Sequence, residues 1–185
     1  MAIETLQVVH TDLQVRGGLK NIAIADVSSI TAATYGDGTH TITDLTGSTA
    51  AKMFDLKLGT GSLSSSGSKE NGSIMFENTI SFYVPNMSLA HYDALISMID
   101  LPIAVWTEDY NGAVYCIGLS EKYNESSDFA GHQMYAKVTS VEGNTGAALG
   151  DESGVTVTIS AMEGELPRLY TGTYTPAADG TVTIS

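Results

Sequence analysis

The chain has 185 residues, 43% of them apolar, and its 21 acidic side chains against eight basic ones give a formal charge of −13. A chain of this length buries roughly 70% of its unfolded surface and needs no metal or disulfide as a staple; the single cysteine, Cys116, excludes an internal disulfide in any case. The acidic balance opposes nucleic-acid binding, which works through Lys and Arg, and no run approaches the ~20 apolar residues of a membrane helix. The start, Met1-Ala2-Ile3-Glu4-Thr5-Leu6, shows no basic segment followed by an apolar run. The expectation is therefore a single domain, 1–185, made in a cytoplasm and without a membrane anchor.

Residues 6–15 fit either strand or helix, and about 1–16 read as an N-terminal arm. After Gly17-Gly18, residues 19–25 predict a strand, while 34–43 mix turn signals with a short strand. Residues 52–58 alternate, with Phe54, Leu56 and Leu58 opposed by Asp55 and Lys57. Gly and Ser dominate 59–71, which predicts a long flexible loop. Residues 72–84 then alternate over a long stretch, with Ile74, Phe76, Ile80, Phe82 and Val84 on one face and Ser73, Glu77, Thr79 and Ser81 on the other.

Residues 88–100 predict the one helix. Leu89, Tyr92, Leu95, Ile96 and Ile99 fall at helical spacing, Ser88 suits the N-cap, and Leu101-Pro102 ends it. Residues 102–108 predict a strand apolar on both faces, and Asn111-Gly112 predicts a two-residue turn into a return strand over 113–119. An acidic loop over 121–131 precedes a strand over 133–141 and a Gly-rich, turn-like stretch over 142–153. Residues 154–162 alternate again (Val155, Val157, Ile159, Ala161), and a short strand over 181–185 follows the turn between Pro176 and Gly180. The sum is a mainly β chain, an antiparallel sandwich or barrel with one packed helix.

Residues able to carry chemistry read more simply as structure. His10, His40, His91 and His132 lack metal-ligand spacing. Cys116 lies in an apolar strand, where a thiol behaves as a small hydrophobe. Asp37-Gly38-Thr39-His40 and Asp151-Glu152-Ser153-Gly154 read as turns and not as calcium loops. Gly59-Thr60-Gly61 lacks the third glycine and the βαβ setting of a dinucleotide site. Glu121, Glu125 and Asp128 form an acid–base pair only if the fold gathers them in a cleft, and Trp106 reads as core. No catalytic, cofactor-binding or metal-ligating residue is assigned.

The order of features resembles the tail tube (major tail) proteins of tailed bacteriophages. An early strand follows a Gly-Gly pair (Gly17-Gly18-Leu19-Lys20-Asn21-Ile22). A long alternating strand leads into Leu89-Ala90-His91-Tyr92-Asp93-Ala94-Leu95-Ile96. A hairpin then crosses Val105-Trp106-Thr107-Glu108-Asp109-Tyr110-Asn111-Gly112-Ala113. A Gly-rich stretch beginning Thr145-Gly146-Ala147 precedes the last core strand and the exit Glu165-Leu166-Pro167. The segment before Gly17 and the tail after Pro167 lie outside the resemblance, and about 164–185 read as a C-terminal extension.

It implies a structural virion protein with no catalytic residue and no cofactor. Six copies close into a ring by joining strands into one barrel, and rings stack into a conduit for the genome, with 59–71 as an arm between rings. The implied partners are its own copies and other tail proteins: terminator, baseplate, sheath and tape measure. DNA passes without specific binding, since an anionic wall repels it. The competing readings are another virion structural protein (terminator, baseplate or decoration) and a β-sandwich carbohydrate-binding or adhesin module.

Overall fold

The computed structural model describes residues 17–47, 50–70, 72–85, 89–121, 134–145 and 153–185. In chain order the elements are β1 (Leu19–Asp26), β2 (Ile30–Tyr35), β3 (Thr41–Gly47), β4 (Ala50–Asp55), β5 (Ser62–Glu70), β6 (Ser73–Pro85), α1 (Leu89–Ile99), β7 (Ile103–Asp109), β8 (Val114–Ile117), β9 (Lys137–Asn144), β10 (Gly154–Glu163), β11 (Arg168–Tyr170), β12 (Tyr174–Pro176) and β13 (Thr181–Ile184). Nine strands form a large sheet in the order β12-β13-β4-β1-β7-β8-β11-β3-β2, and four form a small one in the order β5-β6-β10-β9. The protein is thus mainly β, two sheets with a single helix among the described residues, as the alternation predicts.

Strands β1 and β7 are buried on both faces because the large sheet separates two cores. Ile22, Ile24, Ile103 and Val105 meet Ile80, Phe82, Val157 and Ile159 of the small sheet. Ala23, Ala25, Ala104 and Trp106 point the other way, into a core shared with Ile30, Ile42, Leu45, Tyr170, Val182 and Ile184. Strands from both ends of the sheet order contribute to that second core, so the sheet rolls around it, as twisted sheets do. The roll is fastened where Tyr170 Oη of β11 donates to the Ser185 carbonyl at 2.7 Å, while Thr173 and Ser185 extend the β12–β13 ladder by one pair, with hydrogen bonds of 2.6 and 3.1 Å.

Several expectations are corrected. The Gly/Ser stretch 59–71 is not a long loop: after a tight turn at Thr60, whose N–H reaches the Lys57 carbonyl at 3.1 Å, nine residues form β5 and pair with β6 from Ser62↔Ser81 to Glu70↔Ser73. Backbone pairing needs no apolar side chains, and Gly67 leaves room for the ring of Phe76, 2.6 Å from where its Cβ would stand. The strand expected over 52–58 ends at Asp55, leaving Leu58 77% exposed.

Residues 164–185 are no appendage. β11 lies between β8 and β3, pairing in parallel with the latter, while β13 pairs with β4 and buries Val182 and Ile184 completely. The β7–β8 turn spans Tyr110, Asn111 and Gly112, one residue more than expected: Asp109 N–H bonds the Ala113 carbonyl at 2.9 Å and Gly112 takes φ +84°. β9 runs on to Asn144, into the stretch expected to be turn-like. Helix α1 turns Leu95 and Met98 inward, whereas Tyr92, Ile96 and Ile99 of the expected stripe are exposed; the side chain of Leu89 lies outside the described residues. The arm 1–16, the N-cap at Ser88 and most of the acidic loop lie outside the described residues.

Gly118, just beyond β8, has φ +89°, and a Cβ there would stand 2.6 Å from the Ile103 carbonyl oxygen. Gly118→Ala is expected to destabilise the fold by about 2 kcal/mol or more. A lowered urea midpoint measures this; an unchanged midpoint contradicts the local geometry.

Candidate functional site

Two polar residues stand in the inward rows of the small sheet. Asn78 follows Ile74 and Phe76 on β6, and Glu163 ends the row Val155, Val157, Ile159, Ala161 on β10; they are 0% and 2% exposed. Glu163 Oε2 accepts from Asn78 Nδ2 at 2.5 Å, and Oε1 accepts from the Gly118 backbone N–H at 2.8 Å. The carboxylate therefore ties the small sheet to the end of β8 in the large one. Burial pushes its carboxyl up to about 7, and the two hydrogen bonds offset only part of that rise.

Glu165, two residues on, gathers the next layer. Its Oε1 accepts from Ser120 Oγ at 2.7 Å, the Glu121 N–H at 3.0 Å and Arg168 Nε at 3.1 Å. Arg168 Nη2 donates to Glu165 Oε2 and to Glu121 Oε2, both at 2.9 Å. Its guanidinium carbon stands 4.8 Å from the Tyr35 ring centroid. Burial alone would lower the Arg168 pKa, but hydrogen bonding to Glu165 and the charges of Glu165 and Glu121 outweigh it and raise it. Burial raises the Tyr35 phenol, and its Oη donates to the Leu119 carbonyl at 3.1 Å. His40 closes the cluster, with Nδ1 3.6 Å from Glu165 Oε2 and Nε2 2.8 Å from the Leu166 carbonyl oxygen. An open cleft of about 510 Å³ beside it is lined by Tyr35, Gly36, Asp37, Gly38, Thr39, His40 and Glu121.

This arrangement fastens chain segments together: β2, the turn after it, the exit from β8 and the approach to β11 all end on Glu165 or Arg168. Of the residues singled out in the sequence it recruits His40 and Glu121. Residues 37–40 form the β2–β3 turn, closed by Gly36 N–H to the Thr41 carbonyl at 3.1 Å. Cys116 is buried and its thiol pushed well up by burial, so it stays an unreactive small hydrophobe. Trp106 is core, edge-on to Tyr170 at 6.4 Å. Among the described residues, no group of three His, Cys, Asp or Glu side chains is placed to hold a metal. His10, Glu125, Asp128, His132 and the pair Asp151-Glu152 lie outside the described residues, as does the side chain of His91. Asn78, Glu163 and Arg168 are not among the residues that the sequence pattern singles out. The signal was a polar residue at inward parity within an otherwise apolar row.

A second feature is the small sheet itself. Its three pairings are all antiparallel, and β5 and β9 are its edges. Cross-strand register places Ser62, Ser81, Thr158 and Ser140 in one row of its outer face, and Ser64, Thr79, Ser160 and the exposed Lys137 in the next. Beside β9, α1 exposes Tyr92 (52%), Ile96 (51%) and Ile99 (44%), and β9 exposes Val141 (41%). No family model, no curated protein and no solved structure matches this chain.

Proposed function

We propose that this chain is a structural subunit that polymerises with its own copies, as the tail tube protein of a tailed phage does, and performs no reaction. The supporting observation is the direction of the two edges of the small sheet. With four strands alternating in direction, β5 and β9 run oppositely. A copy related by rotation therefore presents its β5 antiparallel to β9, and the sheet continues from subunit to subunit. Edge strands are a hazard in a monomer and an asset where a neighbour supplies the pairing strand. β5 pairs toward one end of β6 and β9 toward the other end of β10, a stagger suited to the tilted strands of a closed barrel.

In this reading the ring closes by heterologous contacts, rings stack into a virion tail, and the hydroxyl rows face the lumen. Apart from Lys137 at the β9 end, these rows are short Ser and Thr side chains, which give passing DNA no cation to bind. The other tail proteins are the remaining partners, at the ends and outside of the tube.

Negative-stain microscopy and light scattering on the purified chain test the reading. Hollow tubes or stacked rings support it. Rings that never stack point instead to a terminator, baseplate or decoration role, and a strict monomer at high concentration sinks it.

A further inference from the structure

Glu163 lies at the seam between the two sheets, 2% exposed, with two hydrogen-bond donors, the Asn78 amide of β6 and the Gly118 N–H beyond β8. Both donors are neutral. The charged groups around it are already engaged: Glu165, on its own segment, is a repelling carboxylate, and Arg168 of β11 turns its guanidinium to Glu165 and Glu121. From β8 the neighbour is the Cys116 thiol, held neutral by burial. From β6, Asn78 Oδ1 has no hydrogen-bond partner. An anion held only by neutral donors, stripped of water and beside a second carboxylate is a poor anion, and its proton affinity rises for that geometric reason.

We propose that Glu163 is a proton-operated latch: neutral, it leaves the seam closed over residues 118–121; ionised, it drives that seam toward open, hydrated states. Residues 118–121 are the part that moves, because Glu163 and Glu165 together hold the Gly118 N–H, the Ser120 hydroxyl and the Glu121 N–H. The folded-state carboxyl titrates near 7 against an ordinary 4.5. The latch therefore contributes its full stabilisation below the unfolded value and loses it as pH rises through about 7. The proposal is independent of polymerisation and is tested on the unassembled chain.

Carboxyl carbon NMR of the wild-type protein is expected to give a Glu163 midpoint near 7. Protection of the Gly118 amide, corrected for intrinsic exchange, is expected to fall roughly thirtyfold between about pH 5.5 and 8.5, the factor that one proton with this shift allows. Amides of Ile80 and Val157, deep in the small sheet, serve as the reference and are expected to stay flat. Glu163→Gln is expected to abolish the pH dependence at Gly118. A midpoint at or below about 5, or Gly118 protection that does not change with pH in the wild type, overturns the latch. Both readouts use the unmodified chain, so they decide the matter even where Glu163→Gln fails to fold.

Discussion

Arg168→Leu is expected to lower stability by about 3–5 kcal/mol, among the largest single-site effects in this chain. The guanidinium is the cation of a cluster that contains Glu165 and Glu121, and its own side chain is 9% exposed. Removing it leaves the Glu165 carboxylate, 12% exposed, beside Glu163 with no guanidinium to balance either. The loss also removes one tie between β11 and the start of β3, where Arg168 Nη1 reaches the Thr41 carbonyl at 3.4 Å, while His40 still holds the Leu166 carbonyl. Urea unfolding is expected to show a lower midpoint with an unchanged slope. The double variant Arg168→Leu/Glu165→Gln keeps an acceptor for Ser120 and the Glu121 N–H while removing the orphaned charge, so it is expected to be more stable than Arg168→Leu alone. Equal stability of the two would mean that Arg168 acts through packing on Tyr35 and not through charge.

The second large effect concerns polymerisation. Val141→Lys places a charge on edge strand β9, the device by which natural sheets blunt their edges. Ile96→Asp does the same on the exposed face of α1, which a copy docking on β9 must meet, since the helix packs beside that strand. Each loses burial of one aliphatic side chain, about 1.5–3 kcal/mol, and is expected to raise the concentration needed for assembly roughly ten- to a hundredfold. Both positions are solvent-exposed in the single subunit, so the monomer is expected to keep its unfolding midpoint within about 0.5 kcal/mol. Sedimentation across a concentration series reads the first effect and urea unfolding the second. Variants that assemble like the wild type would remove β9 and α1 from the interface.

Legibility from the sequence followed the strength of the side-chain pattern. Residues 72–84 and 154–162 alternate cleanly because one face of each strand meets a core, and both are strands with nearly the expected bounds. Residues 102–108 read as apolar on both faces, and the reason is now visible: Ile103 and Val105 enter one core, Ala104 and Trp106 the other. β5 was illegible because an edge strand with one partner buries little, and Ser, Gly and Lys satisfy its backbone as well as apolar residues would. The stripe of α1 departs from expectation because the helix sits at the margin of the sandwich: Leu95 and Met98 enter the core with Ala94 packed against it, while Tyr92, Ile96 and Ile99 stay exposed. The buried cluster hid for another reason. Asn78 and Glu163 look like ordinary surface residues until the register sets them on the inward face, 85 positions apart in sequence and 2.5 Å apart in space.

The sequence by itself determined the secondary-structure class, the parity of the long strands, the positions of most turns and the anionic character of the chain. These follow from local chemistry: period-two hydrophobicity, glycines at turns, and a charge count that no folding can alter. Tertiary structure alone decided that the large sheet rolls around a second core and that 168–185 belongs to that sheet. It also decided that the small sheet ends in two oppositely directed edges and that Glu163, Glu165 and Arg168 converge. Each of these depends on which distant segments pair, and pairing is fixed by the packing of whole faces, a quantity no local window contains.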